Sequence, residues 1–207
     1  MSTPFFDVTS VFAGMSIAFT IATVLLAHQG CQLRRARLRL YDASRQLRVA
    51  EHQARHDPLT GLPNRRGCFA RLRLLLQAGG PVSVAVLDLD GFKAVNDALD
   101  HFAGDQQLTE VAASLTTLPV DMVARLGGDE FALLIRGGPE VAHLTAELAR
   151  LAVARTVTVP HRGVVLELTA TVGVALARPG DTAGSLLHRA DRAERHAKRH
   201  RLGIYHQ

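Results

Sequence analysis

The glycine pair Gly127-Gly128 constrains the fold more than any other feature of this sequence, because a short apolar run lies on each side of it. The two runs, residues 122–126 and 131–135, each have the length of a β-strand. Two glycines between such runs predict a tight turn, since glycine adopts positive φ angles at little cost. We therefore expect a β-hairpin with Asp129 and Glu130 at its tip.

From residue 56 onward, segments typical of helices alternate with segments typical of strands. The order βαββαβ predicts an α+β, ferredoxin-like fold in which helices flank one face of an antiparallel-rich sheet. The chain is 47% apolar, which suffices for a packed core. The predicted helices are 65–77, 104–118, 140–156 and 182–199, and the remaining predicted strands are 82–87, 164–177 and one near residue 204.

Three acidic side chains are expected to meet where the central strands end. Asp88 directly follows an apolar strand, a position where a carboxylate is costly unless it is paired or bound to a metal. Asp129 and Glu130 lie beside the glycine turn, where the missing side chains let a ligand approach the backbone. If the two strands are neighbours, these oxygens converge and suit Mg²⁺, which is usually completed by substrate phosphates.

An apolar stretch near the N-terminus predicts a membrane anchor. Residues 8–33 contain no Asp, Glu, Lys or Arg, and a span of about 20 residues, 8–28, is enough to cross a hydrocarbon core. Arginines follow this stretch rather than precede it, which argues against a cleaved signal peptide. The same asymmetry predicts a single-pass protein of the inner (cytoplasmic) membrane, with its N-terminus outside and the rest in the cytoplasm. A buried helix of a globular domain is the alternative.

The following segment, residues 30–56, carries a heptad pattern. Apolar residues recur there at alternating spacings of three and four, with arginines between them. The pattern predicts a helical linker that forms a parallel coiled coil with a second copy of the chain. A single amphipathic helix lying on the domain or on anionic lipid is the alternative. The apolar positions are Leu33, Ala36, Leu40, Ala43, Leu47, Ala50 and Ala54.

Charge and cysteine content narrow the possible partners. The net charge of +5 is compatible with phosphate-bearing substrates or anionic lipid. No basic patch interleaved with aromatic residues and no zinc-ligand spacing is present, so nucleic acid is not predicted as a partner. Cys31 and Cys68 are interpreted as ordinary thiols in a reducing compartment.

Five motifs in the globular region resemble those of the GGDEF family of diguanylate cyclases. They occur in the family's order and cover residues from about 56 to 207. Together with the N-terminal features, they divide the chain into residues 1–29 with the transmembrane helix, a signalling linker at 30–56 and a catalytic domain at 57–207. The motifs are Asp57-x-Leu-Thr-Gly-Leu-x-Asn-Arg65, Asp88-Leu-Asp-x-Phe92-Lys93-x-x-Asn96-Asp97, His101-x-x-Gly104-Asp105, Arg125-Leu-Gly-Gly-Asp-Glu-Phe131 and Thr171-Val-Gly173-Val-Ala.

The resemblance implies a metal site at the three carboxylates. Asp88, Asp129 and Glu130 correspond to residues that bind Mg²⁺ or Mn²⁺, with the backbone carbonyl of Leu89 as a further ligand and two ions in each active site. Asp129 or Glu130 is also implied as the catalytic base that deprotonates the attacking hydroxyl. The resemblance does not decide which of the two acts in this way.

The resemblance also implies where the nucleotide binds. Asn96 and Asp105 correspond to the residues that recognise guanine, and His101 lies beside them in the motif. A carboxylate can accept hydrogen bonds from guanine N1–H and N2–H₂ together, which adenine cannot supply. The implied phosphate contacts come from the backbone of Gly91, Phe92 and Lys93, from the side chains of Lys93 and Lys198, and from the turn at Gly127 and Gly128. The chain has only these two lysines, and both fall at lysine positions of the family.

The activity implied by the resemblance is the condensation of two GTP molecules into cyclic di-GMP with release of two pyrophosphates. Each subunit of a homodimer would bind one GTP with Mg²⁺. The alternative is a catalytically inactive GGDEF domain that serves as a sensor of GTP or cyclic di-GMP, or as an interaction module. Retention of the acidic residues favours the enzyme.

The sequence departs from the family pattern at three places. Leu118 replaces the arginine of an Arg-x-x-Asp inhibitory site, although Asp121 is retained, so weak product inhibition is predicted. Asp100 replaces a glycine before His101. Arg201-Leu202 stands where Gly-Arg is common, which displaces a phosphate-binding arginine by one position.

Overall fold

The computed structural model describes residues 8–99, 101–159 and 164–207, and it divides the chain into two compact units, Met1–Glu51 and His52–Gln207. The first unit consists of one long helix, α1 (Val8–Arg55), whose last turn belongs to the second unit. The heptad leucines Leu33, Leu40 and Leu47 are 67%, 71% and 66% exposed, so the single chain leaves this apolar face of α1 uncovered.

The predicted transmembrane segment forms the beginning of α1. Across residues 8–99, 101–159 and 164–207, no helix has an apolar stretch that would reach from one side of a bilayer to the other. The stretch counted in the sequence includes Ser16, Thr20 and Thr23 as well as several small residues, which add little to the free energy of transfer into hydrocarbon. The predicted single-pass location, with the N-terminus outside and the catalytic domain in the cytoplasm, is therefore wrong, and the bilayer is not supported as a partner.

The second unit is built on a six-stranded sheet whose strand order is β2-β3-β1-β5-β4, with β6 paired to β5. Four of the five strand pairs are antiparallel and the β5–β6 pair is parallel, which confirms the antiparallel-rich sheet. The elements follow each other as α2 (Arg65–Ala78), β1 (Val82–Asp90), α3 (Phe92–Ala98), α4 (His101–Thr116), β2 (Met122–Gly127), β3 (Glu130–Arg136), α5 (Pro139–Val153), β4 (Arg155–Val159), β5 (Val164–Leu176), α6 (Ala183–His200) and β6 (Ile204–His206).

Helices cover both faces of the sheet, so the expectation that they pack on one face is wrong. One core cluster joins α3, α4 and α5 to the sheet, and a second joins α2 and α6 to its opposite face. The central strand β1 shows the reason, because its first six residues are all buried rather than alternating. A strand that is apolar on both sides needs a helical layer on each side.

The structure also contains a strand, β4, whose first two residues the sequence pattern had assigned to a helix. Helix α5 ends at Val153, whereas the sequence pattern extended it to residue 156. The β-branched run from Thr156 to Val159 favours an extended backbone, and it pairs with the first half of β5. Pairing with the next strand in the chain decided this boundary.

Candidate active site

The register of β1 and β3 brings the predicted carboxylates together. Asp88 lies opposite Glu130 in the antiparallel pair, and the N–H of Leu89 donates to the carbonyl of Asp129 at 3.3 Å. The two strands are therefore neighbours, which is the condition under which these side chains were expected to converge. Asp88 also lies opposite Thr171 of β5, so it belongs to the centre of the sheet.

The turn between β2 and β3 has the predicted glycine conformation. Gly127 and Gly128 have φ angles of 148° and 54°, and no atom lies within 4 Å of where a Cβ would be on either residue. The backbone here is strained for any other residue and open to an approaching ligand. This agrees with a turn that exposes its peptide groups beside Asp129.

A network that the sequence analysis assigned no role fixes the turn. The Arg125 guanidinium donates to the Gly128 carbonyl at 2.7 and 2.9 Å, and its Nη1 donates to Asp57 Oδ1 at 2.9 Å. Asp57 also accepts from the N–H and the hydroxyl of Thr60. Burial raises the pKa of Asp57, but the hydrogen bonds from Thr60 and Arg125 outweigh it and leave that pKa below its usual range. These residues position the glycine turn.

The carboxylates of Asp88, Asp129 and Glu130, called the acidic centre below, carry like charges that a bound cation would offset. Burial raises the pKa of Asp88 despite the hydrogen bond from Lys198, and the neighbouring carboxylates Asp129 and Asp90 raise it further. Burial also raises the pKa of Glu130, with a contribution from Asp88. Carboxylates whose charged forms are disfavoured by each other gain stability when a cation lies between them.

The donor set fits a metal that is completed by its substrate. In the described part of the chain, no group of three or more His, Cys, Asp or Glu side chains is arranged to hold a metal ion on its own. Magnesium usually binds proteins through one or two carboxylates and takes its other ligands from water and phosphate. The residues present at Asp88 and the hairpin tip therefore fit Mg²⁺ together with a nucleotide.

A further carboxylate, Glu194 on α6, lies close enough to Asp88 for the two charges to interact, and it was missed in the sequence analysis. Glu194 is 5% exposed, and its Oε1 has no hydrogen-bond partner among the described residues. Burial, followed by the charge of Asp88, raises its pKa from 4.5 to about 7. The sequence signal was a glutamate on the apolar stripe of α6, four residues after Ala190 and seven after Leu187.

We expect Glu194→Gln to flatten the pH dependence of stability. The folded-state pKa lies above the unfolded value, so stability is fully present below about pH 4.5 and is lost as pH rises through about 7. The loss attributable to this group is up to about 3 kcal/mol. Urea unfolding at pH 5 and pH 8 without divalent cations measures it. Glu51→Gln, a change at an exposed glutamate of α1, is the control. An unchanged pH slope in Glu194→Gln would contradict the assignment.

The predicted guanine-recognition residues come from two consecutive helices that contact each other, the short α3 and the longer α4. Asn96 lies on α3, and its side-chain oxygen is buried with no hydrogen-bond partner in the described residues. A Cβ on Gly104 of α4 would lie 1.8 Å from that oxygen, so the glycine makes room for the amide. Asp105 follows directly and is exposed. The side chain of His101 and the whole of Asp100 lie outside the described residues.

The predicted phosphate cradle lies where β1 passes into α3. Gly91 has a φ of 85°, and a Cβ there would lie 2.5 Å from the carbonyl oxygen of Glu167. Phe92 is buried, which fixes the start of α3 in the core, while Lys93 is exposed. Lys198 donates to Asp88 and lies 3.9 Å from Asp90, so the second lysine reaches the acidic centre from α6.

The degenerate inhibitory motif has a different set of contacts. Asp121 accepts hydrogen bonds from Arg71 at 2.5 and 2.9 Å and from Arg136 at 3.1 Å. These guanidinium groups, Arg71 first, hold the pKa of Asp121 below its usual range. Leu118 instead packs against the core cluster that contains α4. The Asp121 carboxylate is thus paired with arginines of the same chain.

Comparison with known proteins agrees with this geometry. Residues 54–202 match the family described as diguanylate cyclase, GGDEF domain. An uncharacterized protein of Mycobacterium tuberculosis is 40% identical over 90% of this chain, and this chain spans 29% of that protein's length. The diguanylate cyclase TpbB of Pseudomonas aeruginosa is 38% identical over 73% of this chain and 37% of its own length.

Two solved structures share the fold. The coiled coil and GGDEF domain of DgcB from Caulobacter crescentus, in complex with c-di-GMP, superimposes with a TM-score of 0.74 at 27% identity, covering 86% of this chain and 98% of that one. The diguanylate cyclase SiaD of Pseudomonas aeruginosa, in complex with its activator SiaC, gives a TM-score of 0.62 at 33% identity, covering 93% and 78%. The match therefore includes both the sequence motifs and the arrangement of the sheet.

Proposed function

Because this chain belongs to the GGDEF family of diguanylate cyclases, we propose that it condenses two GTP molecules into cyclic di-GMP and releases two pyrophosphates. The observation that carries the proposal is the placement of Asp88 opposite Glu130, with Asp129 in the adjoining turn. Lys198 adds a cation to the same centre. Lys198 and the metal ions that the carboxylates would hold can neutralise charge on the attacked phosphate, and a carboxylate can accept a proton from the attacking hydroxyl.

In this proposal the carboxylates of Asp88, Asp129 and Glu130 and the carbonyl of Leu89 hold two Mg²⁺ ions. Bound Mg²⁺ supplies a lower pKa for the ribose 3′-hydroxyl and charge neutralisation at the phosphorus oxygens. Glu130 and Asp129 are the candidates to accept the hydroxyl proton. Burial raises the pKa of Glu130, which makes its carboxylate a stronger base than a fully hydrated glutamate.

Nucleotide selection is proposed at Asn96 and Asp105. The buried, unpartnered oxygen of Asn96 provides an acceptor, and the Asp105 carboxylate can accept from both guanine N1–H and N2–H₂. The loops at Gly91–Lys93 and Gly127–Gly128 are proposed to contact the phosphates through backbone N–H groups. Adenine lacks the paired donors, so ATP is expected to be a poor substrate.

The reaction requires two copies of the chain. One domain binds one GTP in this proposal, and each ribose 3′-hydroxyl must reach the α-phosphate of the other nucleotide. The uncovered heptad face at Leu33, Leu40 and Leu47 supports a parallel coiled coil that pairs two domains. A coiled coil also precedes the GGDEF domain in the Caulobacter structure.

Removing residues 1–51 should depress activity at low protein concentration, because it deletes the proposed pairing helix. Residues 52–55 are kept because the Asn64 side chain donates to the carbonyl of Ala54, as it does to that of His56. Specific activity is measured over a hundredfold range of protein concentration, beside the full chain. We expect the truncated form to gain activity steeply with concentration. Equal activity per chain at every concentration in both forms would show that α1 has no role in pairing.

Purified protein incubated with GTP and Mg²⁺ tests the function directly. We expect mass spectrometry to detect cyclic di-GMP and pyrophosphate, and no product from ATP or from 3′-deoxy-GTP, which lacks the attacking hydroxyl. Binding of GTP without product would instead identify an inactive sensor. The departures at Asp100 and Leu202 would then be the first positions to restore to glycine and arginine.

Feedback by cyclic di-GMP is expected to be weak. The inhibitory motif has Leu118 where a guanidinium is needed, and Asp121 is already paired with Arg71 and Arg136. Initial rates measured with added cyclic di-GMP should therefore change little at low micromolar concentrations. Leu118→Arg is the matched variant, and it should gain sensitivity. Strong inhibition of the unaltered protein would refute the prediction.

A further inference from the structure

Two histidines meet where the C-terminal strand β6 lies beside α5. His143 belongs to the second turn of α5, and His206 is the last residue of β6, where it pairs with Val174 of β5. Nδ1 of His143 and Nε2 of His206 are 3.0 Å apart, and the ring centroids are separated by 5.1 Å with a tilt of 47°. The proposed reaction uses neither side chain, so the contact lies outside the chemistry described above.

Two other histidine pairs differ from this one because each lies within a single helix, at a spacing of four residues. Their ring centroids are 3.7 and 4.4 Å apart. In the part of the chain that the structure describes, only His143 and His206 bring two ring nitrogens within hydrogen-bonding distance. The other two pairs are His52 with His56 and His196 with His200.

The contact also defines the protonation of the two rings. A hydrogen bond between His143 and His206 requires a proton on one ring nitrogen and a free lone pair on the other, so the two rings are not both doubly protonated. Burial, followed by the charge of His143, lowers the pKa of His206, so its ring is neutral near pH 7. Neutral imidazole is the form that binds a metal ion.

The distance between the two nitrogens fits a metal ion. Imidazole binds Zn²⁺ at about 2.0–2.1 Å, and at that distance two nitrogens 3.0 Å apart subtend about 90–100° at the ion. Neighbouring ligands are at about 90° in square-planar and octahedral complexes and at about 109° in tetrahedral ones. The pair therefore fits Ni²⁺ or Cu²⁺ better than Zn²⁺. His143 is exposed, so its ring can turn until both lone pairs point to the ion.

Water would complete the coordination of such an ion. Within residues 8–99, 101–159 and 164–207, no third His, Cys, Asp or Glu joins a pair to form a metal-holding group, so this pair supplies two ligands. Glu147 lies one helical turn after His143, with its side chain 44% exposed and 3.6 Å from Arg150. Because residues four apart lie on the same side of a helix, the charge of Glu147 would offset part of the charge of the ion.

We propose that His143 and His206 form a binding site for Ni²⁺ or Cu²⁺, separate from the Mg²⁺ of the acidic centre. Imidazole nitrogen suits these ions, whereas Mg²⁺ takes carboxylate, carbonyl and water oxygens. One ligand comes from α5 and the other from the C-terminal strand, so a bound ion ties β6 to α5. Since the two rings meet only in the folded domain, the ion also stabilises the fold.

Titration calorimetry with NiCl₂ tests the site, with excess MgCl₂ present so that Mg²⁺ occupies the acidic centre. The full chain is compared with His143→Asn and His206→Asn. Each variant should raise the Kd of one Ni²⁺ per chain at least about tenfold, because a single imidazole then holds the ion. His52→Asn removes an exposed histidine of another pair and is the control, which should keep this Ni²⁺.

The melting temperature separates lost binding from lost folding. NiCl₂ should raise the melting temperature of the full chain, and the rise should be smaller in both site variants. Absence of Ni²⁺ binding by the full chain would overturn the proposal, and so would unchanged affinity in the two variants. A loss confined to one variant would overturn it as well, since the site needs both rings. None of these results bears on GTP turnover, which uses other residues.

Discussion

Replacing Asp88 with asparagine is expected to lower the rate of cyclic di-GMP formation by about 10²–10³-fold. The asparagine side chain has nearly the same shape, so it can occupy the same place at the end of β1 opposite Glu130. It carries no negative charge, so it cannot neutralise a divalent cation or hold Lys198 as an ion pair. The loss would therefore fall on chemistry rather than on packing.

The experiment compares initial rates of Asp88→Asn and the unaltered protein at saturating GTP and several Mg²⁺ concentrations. A rise in activity of the variant at high Mg²⁺ would indicate that weaker metal binding causes the defect. Asp42→Asn removes an exposed carboxylate from α1 and should have full activity. If Asp88→Asn kept more than a tenth of the rate, the acidic centre would not be the catalytic one. Thermal unfolding of each variant verifies that the fold is retained.

Replacing Gly173 with alanine is expected to destabilise the domain by about 3 kcal/mol or more. A Cβ on Gly173 of β5 would lie 1.9 Å from the backbone nitrogen of Glu194 and 2.4 Å from the carbonyl oxygen of Ala190. Both atoms belong to the backbone of α6, so no side-chain rotation can relieve the contact. The helix would have to move away from the sheet, which would withdraw Lys198 from Asp88 and lower activity as well.

Urea unfolding measures this loss, with Gly184→Ala as the matched change. Gly184 lies on α6, and the nearest atoms to its added Cβ would be at 3.7 and 3.9 Å, an ordinary contact distance. Alanine there should be neutral or stabilising by up to about 1 kcal/mol, because alanine favours helix more than glycine does. Equal stability of Gly173→Ala and the unaltered protein would mean that α6 does not approach the sheet as closely as the structure has it.

Local sequence patterns predicted the parts of the site that depend on neighbours in the chain. The glycine turn and the two flanking strands follow from a short stretch of residues, because turn geometry and strand propensity are local properties. The sequence placed Asp88 directly after a strand and Asp105 at the start of a helix, whereas β1 extends to Asp90 and α4 begins at His101, so both residues lie inside their elements. Their roles as metal and guanine ligands remain predictions.

Features that depend on contacts between distant segments could not be predicted in this way. Helices on both sides of the sheet follow from the burial of β1 on two faces, which depends on helices far away in the chain. The end of α5 instead depends on the pairing of β4 with the next strand, β5. Composition suggested a membrane segment at residues 8–28, but hydropathy along the helix is insufficient for one. A count of uncharged residues overestimates the free energy of transfer when many of them are small or hydroxylated.

What the sequence by itself determined is the family and the hairpin, since these follow from local spacing, whereas the pairing of β1 with β3 decided that Asp88 lies opposite Glu130. Only the tertiary structure decided that Glu194 is buried, with its Oε1 lacking a hydrogen-bond partner among the described residues, and that Arg150 and Lys198 line one cavity. The cost of burying a charge and the space left by a missing Cβ depend on which distant segments pack together, and spacing along one chain does not contain that information.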